Sequence, residues 1–137
     1  GYKVRIIHGE WAGKTPPYRM VTDVTLLHIF LEPHQKISLD TREMTFVYAL
    51  RGTGTTEGYS IKNQTLITYS KAGGPLEIEA SETGLEFMFG AGQPHNEPIA
   101  YGGPFVMTTA QQIQEAKSRY ARGEMGQLEP FKFKNNE

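Results

Sequence analysis

The sequence predicts an all-β domain, a sandwich or barrel, followed by a single helix. Three observations carry that expectation. About seven to nine short apolar runs recur at turn spacings of roughly 8–12 residues, the rhythm of an antiparallel sandwich or barrel. The runs are rich in Val, Ile, Leu, Thr, Tyr and Phe and are bounded by Gly, Pro and Asn. Only one stretch, near the end, switches from a period of two to helical spacing.

Taken in order, "YKVRIIHG" (2–9) alternates and ends on Gly9, a strand. "EWAGKTPPYR" (10–19) holds Gly13 and the Pro16-Pro17 pair and reads as a loop. "MVTDVTLLHIFLEP" (20–33) is a strand that stops at Pro33. "HQKISLDTREM" (34–44) begins as a loop and has room for a short strand. "TFVYALRGTGT" (45–55) is a strand that runs into the glycines 52 and 54 as a turn. "YSIKNQTLITYS" (59–70) splits around Lys62-Asn63, which reads as a hairpin tip. "PLEIEA" (75–80) alternates, with Leu76, Ile78 and Ala80 on one face and Glu77 and Glu79 on the other. "GLEFMFGAG" (84–92) is a further strand. Thr109 stands three residues before Gln112, a capping-box pattern. Ile113, Ala116 and Tyr120 then recur at helical spacing, and Gly123 is placed to end the helix. The expected organisation is a β-domain over 1–108, a helix over 109–123 set on that domain or on a neighbour, and a polar tail over 124–137. Phe131 and Phe133 of the tail could dock on a neighbour.

The 137 residues fit one domain that can bury a core without disulfides or metal. A formal net charge of −1 with no basic stripe argues against nucleic acid or an anionic membrane as a partner. The absence of cysteine excludes disulfides, thiolate metal sites and a Cys nucleophile. No apolar run approaches the ~18 residues a membrane span needs, and no signal peptide is recognisable, so a cytoplasmic location is expected, or a nuclear one in a eukaryote. The chain opens on Gly1-Tyr2 rather than Met, which fits a processed product or a piece of something larger.

The run "GAGQPHNEPIAYGGPFVMTTAQQIQEAKSRYARGEMG" (90–126) resembles the C-terminal half of pirin-family proteins. The residues that carry the resemblance are Gly92, Pro94, Asn96, Glu97, Pro98, Gly103, Pro104, Phe105, Val106, Met107 and Gly123. Upstream, "VRIIHGEWAGKTPP" and "FVYALRGTG" match more loosely. The resemblance implies a cupin-type double-stranded β-helix, a jelly-roll barrel, with one C-terminal helix. It implies iron or another divalent metal in a companion N-terminal cupin rather than in this half. It also implies relatives that cleave quercetin with dioxygen or are linked to transcription.

A catalytic cupin offers two His and a Glu from one motif and a third His from a later strand, a donor set suited to iron, manganese or zinc. Aligned on Gly52, the Glu position falls on Thr45 and the His positions fall in "SLDT" (38–41), where there is no His. Asp40 and Glu43 are the nearest acids, and Glu43 is two residues out of register. The second motif region, "EIEASETGLEFMF" (77–89), has no His either. His8 closes a strand and reads as a surface or turn residue. His28 sits in an apolar strand and reads as a satisfied core His. His34 follows Pro33 in a loop. His95 has Glu97 two residues on, an H-x-E pair able to bind metal or serve acid–base work. Should a local metal site exist, His28, His34, His95 and Glu97 are its candidates. The family usually has an apolar residue at the position of His95, which makes that His a departure. Asn96, Glu97 and Pro98 read as architectural. Trp11, Tyr18 and Arg19 form a loop cluster suited to a barrel mouth or an interface. No nucleophile elbow and no phosphate loop fits "GTGTTEG".

The expected function is that of a pirin-like C-terminal cupin, with no cofactor of its own and no catalysis alone, set beside a metal-bearing cupin. One alternative is part of a metal-dependent dioxygenase resembling quercetin 2,3-dioxygenase. Another is a free-standing cupin that forms a homodimer and binds a small molecule.

Overall fold

A computed structural model describes residues 1–18, 21–70 and 73–130. Arg19 of the predicted loop cluster, and Phe131 and Phe133 of the tail, lie outside the described residues. The chain divides into two compact units, Gly1–Pro94 and His95–Glu137.

Among its described residues the first unit holds seven strands: β1 (Tyr2–His8), β2 (Val24–Leu31), β3 (Lys36–Asp40), β4 (Met44–Thr56), β5 (Tyr59–Ile61), β6 (Leu66–Tyr69) and β7 (Pro75–Gly92). All pairings are antiparallel. The C-terminal half of β7, from Leu85 to Gly92, lies between β2 and the N-terminal half of β4. That layer is extended by β1 on β2 and by β6 on β4. The N-terminal half of β7 lies between β3 and the end of β4, and β5 completes this second layer. So β4 and β7 each run through both layers, which is the cupin sandwich. Among the described residues the hydrogen-bonded path ends at β1 and β5 and does not close into a barrel.

The corner between the layers is built by glycine. In β4 the inward residues are Thr45, Val47 and Ala49 before the corner but Gly54 and Thr56 after it. In β7 they are Leu76, Ile78 and Ala80 before it but Leu85, Phe87, Phe89 and Ala91 after it. Both strands change parity there, and the β4–β7 register slips at 49/51 and 52/54. A strand with period two can do this only through bulges. Gly52 has φ +79° and Gly84 φ +70°, and Gly52 is packed against the Gly84 carbonyl. The hydroxyls of Thr53, Ser81 and Thr83 interconnect at the same corner, with Thr83 Oγ1 3.2 Å from Thr53 Oγ1 and 3.1 Å from Ser81 Oγ.

Two expectations need correction here. "PLEIEA" and "GLEFMFGAG" are one bent strand, β7, because the chain stays extended through the corner and pairs with β4 on both sides of it, at Ala80 and again at Leu85, instead of turning away. Lys62-Asn63 does interrupt the chain, but β5 and β6 do not pair with each other. Each pairs with a different half of β4, so the turn carries the chain from one layer to the other.

The core between the layers is continuous. Leu27, Ile29, Leu39, Val47, Ile61, Leu76, Ile78, Phe87 and Phe89 are all at most 2% exposed. Val4, Ile6, Trp11, Ile67 and Tyr69 pack on its margin. Burial of a Leu, Ile or Phe side chain stabilises by about 1.5–3 kcal/mol, so this cluster is the main source of stability.

The second unit is a hairpin and a helix. β8 (Ala100–Gly102) pairs with β9 (Phe105–Met107) around Gly103-Pro104. Gly103 has φ +66°, and glycine at the first of the two loop positions is what a type II′ turn requires. The motif residues thus contain a hairpin, an element the sequence patterning did not predict. The helix α1 (Ala110–Ala121) has Thr109 as N-cap in a complete capping box with Gln112. Ile113 and Ala116 are buried, Phe105 meets Tyr120 edge-on at 6.1 Å, and Gly123 has φ +73° just past the end. Thr109→Ala should cost the helix about 1 kcal/mol, whereas Thr109→Asp should retain most of the cap. Hydrogen exchange of the first-turn amides checks this. Unchanged protection in the alanine variant would refute it.

Candidate functional site

In a sandwich of this kind the space between the layers is where a metal or substrate would sit. Here that space is full of apolar side chains. Among the described residues the buried polar side chains are Thr45 and Thr56. Thr45 Oγ1 accepts from the Arg42 amide at 2.8 Å and donates to the Arg42 carbonyl at 2.9 Å, which fixes the turn into β4. Thr56 Oγ1 accepts from the Tyr69 hydroxyl at 3.1 Å, and burial pushes the Tyr69 phenol above its ordinary range. Among the described residues no buried side-chain nitrogen or oxygen lacks a partner. No orphaned donor or acceptor therefore points to a missing ligand.

The positions of the cupin metal motif do not fit a metal. Ser38, Asp40 and Glu43 are exposed, and Ser38 and Asp40 alternate outward from the buried Ile37 and Leu39. In the second motif region the inward residues are Ile78, Ala80, Leu85, Phe87 and Phe89. None of these can ligate. Among the described residues no group of three or more His, Cys, Asp or Glu is gathered in a way that could hold an ion.

The four histidines do not converge. His8 Nε2 lies 3.0 Å from the Thr22 carbonyl, and its Nδ1 lies 3.3 Å from the Tyr18 hydroxyl, which itself donates to the Ile7 carbonyl. That cluster ties the end of β1 to the loop. Trp11 bridges to Lys14 and rests on the core margin instead of joining Tyr18. His34 is exposed with φ +62° in the turn between β2 and β3, a backbone role. His95 and Glu97 are both exposed, and no hydrogen bond or ion pair joins them. Asn96 between them has φ +53°, a conformation Asn tolerates.

His28 is the informative one, and it is not a core residue. It alternates with the buried Leu27 and Ile29 and therefore points out of the sandwich. Its Nε2 lies 2.9 Å from Glu86 Oε1, with side chains 15% and 23% exposed. Its ring lies tilted at 48° against Phe30 with centroids 4.4 Å apart, and Arg51 Nε stands 3.9 Å from Glu86 Oε2. The His–Glu–Arg row is flanked by half-buried Leu26, Phe30, Phe46 and Met88. The row is thus an ion-paired centre bordered by apolar side chains on the outer face of the sheet. The sequence could not reveal it. The run "VTLLHIFL" is apolar on both faces, so periodicity does not assign His28 a side, and Glu86 is 58 residues away.

The outer face of the other layer is polar. Lys36 Nζ bridges Glu79 at 3.2 Å and Glu77 at 3.4 Å, and these carboxylates hold the ammonium above its ordinary range. Ser38, Thr55, Glu57 and Pro75 line the same shallow depression. With the lysine already spanning both acids, this is a solvated sheet face. No helix among the described residues is long and apolar enough to cross a membrane.

Residues 26–126 match the family model for the pirin C-terminal cupin domain. The chain is 33% identical over 125 residues to a pirin-like protein of Arabidopsis thaliana, covering 84% of this chain and 40% of that one. It is 33% identical over 134 residues to a pirin-like protein of Solanum lycopersicum, covering 92% of this chain and 45% of that one. A crystal structure of quercetin 2,3-dioxygenase from Acinetobacter baumannii superposes with a TM-score of 0.73 at 30% identity, covering 92% of this chain and 44% of that one. The chain thus spans less than half the length of each of these relatives.

Proposed function

The chain belongs to the pirin family, as its C-terminal cupin domain, and from that membership we propose that it serves as a non-catalytic companion to a metal-bearing cupin. The observation that carries this reading is the filled interior. Where a catalytic cupin needs His and Glu around an open position, this one has Val47, Ile78, Phe87 and Phe89. A core closed by side chains is stable without a ligand, and among the described residues the space between the layers is occupied by apolar side chains. Its contribution is then a surface that holds and shapes a neighbouring site. The share of each relative that the chain leaves uncovered supports the presence of such a neighbour. A cytoplasmic or nuclear setting belongs to the same proposal.

The test is direct. The purified 137 residues should hold far less than one equivalent of iron, nickel or zinc after exposure to each metal and desalting. They should not consume quercetin in air. Stoichiometric metal that disappears in His28→Ala or His95→Ala, or turnover by the chain alone, would overturn the reading in favour of an enzyme with its own site.

A further inference from the structure

The hairpin of the second unit has two faces, and only one is used by the helix. On the helix side Gly102 leaves room for Ile113, whose side chain occupies the space a Cβ would need, and Phe105 meets Tyr120. On the opposite side Tyr101 and Val106 are direct cross-strand partners. They are 75% and 58% exposed, and Ile99, two residues before Tyr101, is 65% exposed. Aromatic and β-branched residues paired in this way form a contact surface, whereas a solvated ribbon carries Thr, Lys or Glu there. Singly exposed apolar residues are ordinary, but a cross-strand pair of them on a ribbon with three residues per strand, with a third just before it, is not. A hairpin this short is marginal alone, and a helix with two buried residues adds little.

We propose that the Ile99–Tyr101–Val106 face is the docking anchor for the companion cupin, with the hairpin laid against that domain. The inference rests on the companion reading above and deepens it by naming a surface. The occupant follows from length: the relatives carry more than half of their chain beyond the matched part, so a second domain is present in the same polypeptide at high effective concentration. Tyr at the centre suits the role, being large, rigid and amphipathic.

The experiment uses the complete protein encoded by the gene, with a benzophenone-bearing phenylalanine placed at position 106 in one sample and at position 88, on the outer sheet face, in another. After illumination, mass spectrometry maps the cross-links. The expected result is a link from position 106 to residues outside this chain's 137, reduced about tenfold by Tyr101→Ser while helix circular dichroism is retained. Links from 106 only to a second copy, or none, overturn the inference. In that case a link from 88 to the companion leaves the companion reading standing. If neither position reaches a companion, or the gene encodes none, both fall.

Discussion

Gly52→Ala should destabilise the first unit by roughly 3–5 kcal/mol, enough to unfold much of the population at moderate temperature. Two costs combine. The residue stands at φ +79°, which a non-glycine side chain occupies only under strain. A methyl group there would also fall inside the Gly84 carbonyl and close to the Leu85 Cα. Both obstacles are backbone atoms in the partner strand, so no side chain can swing aside. Gly58→Ala is the control. Gly58 has a comparable φ of +82° but open space around its Cβ position, so that variant should carry the conformational strain alone, about 1–2 kcal/mol. Urea melts of the two variants separate the terms. Equal losses would show that the corner is not close-packed.

Phe87→Ala should cost about 3–5 kcal/mol, with no gain of metal or flavonol binding. Phe87 is fully buried at the centre of the long strand, opposite Ile29 of β2 and Ala49 of β4. Removing its ring leaves a cavity walled by Leu, Ile, Val and Phe, and such cavities stay dry and empty of ions. Thermal melts give the cost, and metal analysis of the variant gives the second half of the prediction. A variant that bound iron would mean that ligating groups do face the interior and are only masked by the ring. The companion reading would then need revision. Phe89→Ala, at 2% exposure, should behave similarly and guards against a single misfolding variant.

How much of this was legible in the residues depends on whether the information is local. Thr109, Gln112, Ile113, Ala116 and Gly123 specify a helix within one short window, and the helix stands where they place it. The strands were legible because glycine and proline punctuate them. Pairing was not. Lys62-Asn63 looks like a hairpin tip, yet which half of β4 each flanking strand joins is decided by burial of Ile61 and by the corner glycines, far away in sequence. The change of parity in β7 appears in the residues only as a broken alternation across "SETG", which resembles a turn. The resemblance carried by residues 90–126 pointed to the right family, and the family model reaches back to residue 26. The site was least legible. His95 and Glu97 attract notice because they are neighbours in sequence, but no hydrogen bond or ion pair joins them, while His28 and Glu86 meet across a β-ladder.

The sharing of β4 and β7 between the two layers has a consequence for how the first unit comes apart. A sandwich whose sheets are separate chains of strands can lose one sheet while the other persists. Here every strand except β1, which hangs from β2, is paired directly to one of the same two backbones, and β4 with β7 forms the largest interface in the unit. Peeling β3 or β5 away strips the end of β7 or β4, and with it the support of the corner on which the opposite layer is seated. Residues 1–94 therefore behave as one cooperative block, in which local opening is confined to the edge strands and everything central opens together.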